Sequence, residues 1–115
     1  KFWLFLRPVN REDGPFEYVP GSHRLNPARL RWEQATAEAA ITHGRQPDVS
    51  GSFRIDEEQL EQLGLPAPKA VTCAANTLVL ADVFGFHRRG AAQSGRERLA
   101  LYGWNRPYPF LPVSW

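Results

Sequence analysis

The chain opens on KFWLFLR, in which every position from Phe2 to Leu6 is apolar. Successive side chains of a strand point to opposite faces, so a run without polar alternation must be covered on both sides. Such a strand belongs inside a sheet, and the rest of the chain has to fold around it. A complete apolar strand with no starting Met ahead of it also leads us to expect that the polypeptide begins upstream.

The next segments supply the partners. NREDG (10–14) carries an Asp-Gly turn signal and PFEYV (15–19) reads as a second short strand, so residues 1–7 and 15–19 are expected to form a hairpin. Asn26-Pro27 is a helix start, a capping side chain followed by Pro at the first helical position. The run after it has no Gly or Pro, and Leu30, Ala37 and Ile41 recur on one helical face. That helix should end near His43-Gly44 and give way to a loop containing Pro47 and Gly51. Asp56 and Gln59 have capping-box spacing for a second, short helix, which Gly64 can close. Pro66 and Pro68 forbid its continuation. Residues 69–74 and 77–84 read as strands separated by a tight turn at Ala75-Asn76, and 97–104 as the last strand. The tail, Arg106–Trp115, has three prolines and is expected to pack its aromatics (Tyr108, Phe110, Trp115) over one end of a barrel. The order is hairpin, helical insertion over about 26–64, then strands. This predicts a mainly β fold, a partial double-stranded β-helix (jelly roll), in a single domain spanning 1–115. A doubly wound α/β sheet is excluded, because helices do not alternate with strands. A half-barrel should leave an open sheet edge and an uncovered apolar face.

Composition narrows the function classes. With 43% hydrophobic and 23% charged residues the chain is not a disordered tail. No apolar run reaches the roughly 18 residues of a membrane helix, and residues 1–6 read as a strand rather than as a signal peptide. Twelve of the 14 basic residues are Arg, scattered apart from Arg88-Arg89 and Arg96/Arg98, so the net charge of +2 does not describe a nucleic-acid surface. The single Cys73 excludes an internal disulfide and fits a reducing, cytoplasmic setting as a buried inert thiol.

Two stretches carry chemistry. EDGPFEYVPGSHR (Glu12 to Arg24) places a turn Gly before an apolar strand and then Pro-Gly-Ser-His. Asn76 to Trp104 runs from a Leu-rich strand through Asp82 to His87, a Gly-containing turn, Ser94 and then Arg98, eleven residues beyond the His. In this order the two stretches resemble hallmarks of the phytanoyl-CoA dioxygenase family of iron(II)- and 2-oxoglutarate-dependent oxygenases. The resemblance implies the C-terminal part of one oxygenase domain that uses Fe(II), O₂ and 2-oxoglutarate as cosubstrate. It implies His87 as the distal iron ligand and Arg98 as the holder of the cosubstrate's far carboxylate. Trp3 matches a strand position where some members carry a Trp beside the cosubstrate. Asp82 and Ser94 are read as structural, and His23 matches a frequent family His with no ligand role.

The residue types suit that chemistry. Non-haem Fe(II) is held by two His and one carboxylate on one face, leaving positions for the oxo acid and O₂. A guanidinium grips a carboxylate through parallel hydrogen bonds. Strand alternation puts Arg98, Ala100 and Tyr102 on one face and Leu99 and Leu101 on the other. By the family pattern, a hairpin between His87 and Arg98 brings both to one site. Arg88-Arg89 is read as a solvated turn, with steering of an anionic substrate as the alternative.

The other ligands come in the family as His-x-Asp or His-x-Glu, and none of the chain's His has an acid two residues on: His23 precedes Arg-Leu, His43 Gly-Arg and His87 Arg-Arg. The pair is therefore expected upstream, and the 115 residues alone are expected to be inactive. The expectation for the whole is a dioxygenase hydroxylating a small molecule with release of succinate and CO₂. A Gly or Ala in place of the upstream acid would point to a halogenase-type relative. The alternatives are a non-catalytic jelly-roll or cupin-like binding module and a metal-independent interaction domain of the same architecture.

Overall fold

A computed structural model describes residues 1–42 and 53–104. The expected helix end at His43-Gly44, the loop with Pro47 and Gly51, and the tail from Arg106 lie outside the described residues. In chain order the elements are β1 (Phe2–Phe5), β2 (Phe16–Tyr18), α1 (Pro27–Thr42), α2 (Glu57–Gln62), β3 (Lys69–Val71), β4 (Thr77–Leu80), β5 (His87–Arg89) and β6 (Ala100–Gly103).

The strands form two three-stranded antiparallel sheets, ordered β4-β1-β6 and β3-β2-β5. The all-apolar β1 is a central strand, as its composition requires. It does not pair with β2, so the expected hairpin is absent. The chain crosses from one sheet to the other between β1 and β2, between β3 and β4, between β4 and β5, and between β5 and β6. A turn does form at Ala75-Asn76, with Asn76 at φ 58°, but its flanking strands belong to different sheets. The turn signals marked reversals of direction correctly; what they could not say is which sheet the chain re-enters.

Phe5, Val9 and Phe16 are buried between the sheets, with Trp3, Tyr18, Val71, Val79 and Ala100 packed around them. The Trp3 and Phe16 rings lie 4.4 Å apart across the gap. The opposite face of the first sheet is a different matter. Phe2, Leu78, Leu80 and Leu101 are exposed there, and the register places Phe2 opposite Leu80 and Leu4 opposite Leu78 and Leu101. Among the described residues the Trp3/Phe5 face of β1 is the better covered, with Phe5 fully buried and Trp3 half-buried.

Both helices start where their caps place them. Asn26 Oδ1 accepts from the Arg29 backbone N–H at 2.8 Å. Asp56 and Gln59 close a complete capping box on α2, and Gly64 at φ 66° follows its end. The face of α1 is where the structure corrects the sequence reading. Leu30 and Ile41 are exposed, at 52% and 84%. The covered stripe is Arg29, Trp32, Glu33, Thr36, Ala37 and Ala40, also at helical spacing. Its anchor is an arginine, which a search for apolar periodicity passes over.

Candidate metal and cosubstrate site

An open cavity of about 960 Å³ is lined by Trp3 from the first sheet, Arg98 from the segment just before β6, Phe16 and His87 from the second sheet, and Arg29 and Trp32 from α1. All three residues singled out in the sequence, Trp3, His87 and Arg98, therefore border one space. They reach it differently from the way expected: β5 and β6 are not a hairpin but belong to facing sheets.

His87 starts β5 directly opposite Tyr18, and Arg89 is directly opposite Phe16. Facing residues of an antiparallel pair share a side. Phe16 is core, so His87 and Arg89 leave β5 on the side that faces the first sheet, yet both remain solvent-exposed, at the mouth of the cavity. Arg88 points outward and donates to Glu17 at 2.6 Å. The residues Arg88-Arg89 are solvated as expected, but they form a short strand rather than a turn, with one arginine on each face.

The loop before β5 holds the imidazole in place. Asp82 Oδ1 accepts from the Phe84 N–H at 2.9 Å, and the Asp82 carbonyl accepts from the Tyr18 hydroxyl at 2.9 Å. Burial first, then the Asp82 carboxylate, push the Tyr18 phenol above its ordinary value. Ser22 Oγ accepts from Phe86 N–H at 2.8 Å and donates to the Val19 carbonyl. His87 Nδ1 lies 2.8 Å from the Gly85 carbonyl. A carbonyl can only accept, so a neutral ring carries its proton on Nδ1 and keeps the lone pair on Nε2. Metal-binding histidines are commonly oriented by such a bond from the second nitrogen to a backbone carbonyl.

Arg29 ties α1 to the same loop. Its guanidinium lies 3.7 Å from the Phe86 ring centroid and donates to the Ser22 carbonyl at 3.1 Å and to Glu33 at 2.8 Å. The Trp32 ring meets Phe86 edge-on. Sequence reading missed Arg29 because nothing in its neighbourhood marks it. Arg89 was legible in principle, by alternation from His87, but a three-residue polar strand has no pattern of its own.

Leading into β6, Arg98 and Ala100 are half-buried while Leu99 and Leu101 are exposed, as alternation predicts. Arg98 Nη1 is buried with no hydrogen-bond partner among the described residues. Burial, and secondarily the charge of Arg89, lower the affinity of the Arg98 guanidinium for its proton. The two arginines share a smaller cleft of about 300 Å³ with Lys1, Trp3, Ala100 and Tyr102. A desolvated cation with an open donor fits the end of a carboxylic acid ligand.

His87 and Arg98 suit one edge of an iron and oxo-acid site. The remaining ligands are not here: among the described residues no group of three or more His, Cys, Asp or Glu is placed to hold a metal. His23 lies in an exposed turn. Among the described residues no helix is long and apolar enough to cross a membrane.

A mainly β chain with this pocket fits the oxygenase class inferred from its motifs. The sequence model of the phytanoyl-CoA dioxygenase (PhyH) family matches residues 1–100, and the chain belongs to that family. No curated protein and no solved structure matches the chain.

Proposed function

We propose that the chain is the distal part of an Fe(II)- and 2-oxoglutarate-dependent dioxygenase that hydroxylates a small molecule in the cytoplasm. The fold is read as a partial double-stranded β-helix, its chain crossing repeatedly between two sheets. His87 would hold iron through Nε2, and Arg98 would receive the far carboxylate of 2-oxoglutarate, with Trp3 alongside. When bound, iron and cosubstrate supply O₂ activation, coupling decarboxylation to succinate with oxidation of the substrate. The protein's part is to orient the imidazole through the Gly85 carbonyl and to neutralise the carboxylate.

The supporting observation is that His87, on β5, and Arg98, just ahead of β6, line one cavity. One His does not make a facial triad. We therefore assign the second His and the acid to a His-x-Asp or His-x-Glu outside these 115 residues, and expect the isolated chain to be inactive.

The test is succinate release by the intact gene product with Fe(II). It should require 2-oxoglutarate, and Arg98→Ala should raise the apparent requirement by about 2–5 kcal/mol in binding terms, the cost of removing one partner of a desolvated charge pair. An unchanged requirement would remove Arg98 from the site. Absence of any 2-oxoglutarate dependence, with no His-x-acid in the gene, would favour the non-catalytic binding module.

A further inference from the structure

We propose that Arg89 is a second cosubstrate-binding residue, closing on the same carboxylate as Arg98 from the opposite sheet; this rests on the oxygenase reading above. Register fixes its direction. Arg89 faces Phe16 across the β2–β5 ladder and so leaves β5 on the side that faces the first sheet, whereas Arg88 leaves on the other side to meet Glu17. Arg89 and Arg98 then border one cleft with Trp3 and Ala100, and no carboxylate is among the residues lining it. Neither arginine forms an ion pair among the described residues.

The backbone leaves space for this. Gly14 sits at φ 69°, and a Cβ there would lie 3.2 Å from Arg89 Nε and 3.1 Å from the Gly90 carbonyl. A side chain at 14 would press on the guanidinium from behind.

Two like charges bordering one cleft repel, and the half-buried Arg98 keeps a donor without a partner while the exposed Arg89 stands at the mouth. An anion between them removes both costs. Two planar forks can offer a carboxylate donors to both oxygens and to more than one lone pair on each, which a single arginine cannot. The ligand class is a 2-oxo acid with a second, distal carboxylate. A 2-oxo monoacid such as pyruvate would reach the metal end and leave the pair unfilled.

The experiment measures 2-oxoglutarate and pyruvate binding to the iron-loaded intact gene product without O₂. Arg89→Gln should weaken 2-oxoglutarate tenfold or more, about 1.4 kcal/mol, and leave pyruvate unchanged. Arg89→Lys, which keeps charge without the fork, should lie between, and serves as the variant if Arg89→Gln does not fold. Arg88→Gln should match wild type for both acids. If Arg89→Gln binds 2-oxoglutarate as wild type does while Arg98→Gln does not, the second-arginine assignment is wrong and the oxygenase reading stands. An equal loss for both acids in Arg89→Gln also overturns it, as a general effect on the fold. If wild type binds neither acid, the underlying reading fails and the proposal with it.

Discussion

Removing the Arg29 guanidinium tests how the helical insertion is fastened to the loop carrying His87. The Arg29 side chain is 7% exposed. Its bond to the buried Ser22 carbonyl is charge-assisted and should contribute about 2 kcal/mol. The contact with Phe86 adds about 1–2 kcal/mol for a desolvated cation over a ring. The Glu33 pair is more open, with the acid 31% exposed, and adds about 0.5 kcal/mol. The 3.4 Å contact to the Phe84 carbonyl is too long to add appreciably. Against these stands the relief of no longer burying a cation, so Arg29→Ala should cost about 3 kcal/mol net. At a urea slope of about 2 kcal/mol/M that is a midpoint lower by about 1.5 M. Trp32 lies against the same loop, so its fluorescence reports the change directly. Arg29→Lys should fall between, keeping charge but losing the flat stack and the fork. A midpoint within about 0.2 M of wild type for Arg29→Ala would refute the reasoning, because the fold would then not depend on this anchor.

Two further outcomes follow from the same loop. A Cβ on Gly85 would collide with the Tyr18 hydroxyl and approach Ser22 Oγ to 2.9 Å, so Gly85→Ala should destabilise by about 1–3 kcal/mol through overpacking and also weaken iron binding; an unaltered unfolding midpoint would contradict this. Because the Tyr18 phenol is raised, its contribution is fully present below about pH 10 and is lost as pH climbs through the folded value. Denaturant midpoints taken upward from pH 9 should therefore fall, and Tyr18→Phe should flatten that decline; parallel curves would show that Tyr18 is not responsible.

The local structure around the candidate site could be read from the sequence because its residues obey local rules. Alternation correctly paired Arg98 with Ala100 against Leu99 and Leu101. The caps at Asn26 and Asp56 located both helix starts. What could not be read was set by non-local pairing. A turn signal such as Asp13-Gly14 gives no information about whether the next strand returns to the same sheet, so β1 and β2 were joined in a hairpin that the fold does not contain. The anchoring face of α1 was misplaced for a different reason. A buried guanidinium held by carbonyls and an aromatic ring behaves as core, yet Arg29 scores as polar in any pattern of hydrophobicity. Arg89 stayed hidden because three polar residues, His-Arg-Arg, become a strand only through pairing with β2.

The central claim is that the His87 imidazole supplies a bond to iron on which 2-oxoglutarate depends. Anaerobic equilibrium dialysis of the intact gene product, with and without Fe(II), addresses it for wild type and His87→Ala. Wild type should retain 2-oxoglutarate far better when iron is present, and His87→Ala should lose that iron-dependent increment while unfolding at the wild-type denaturant concentration. Undiminished iron-dependent retention in His87→Ala would contradict the account.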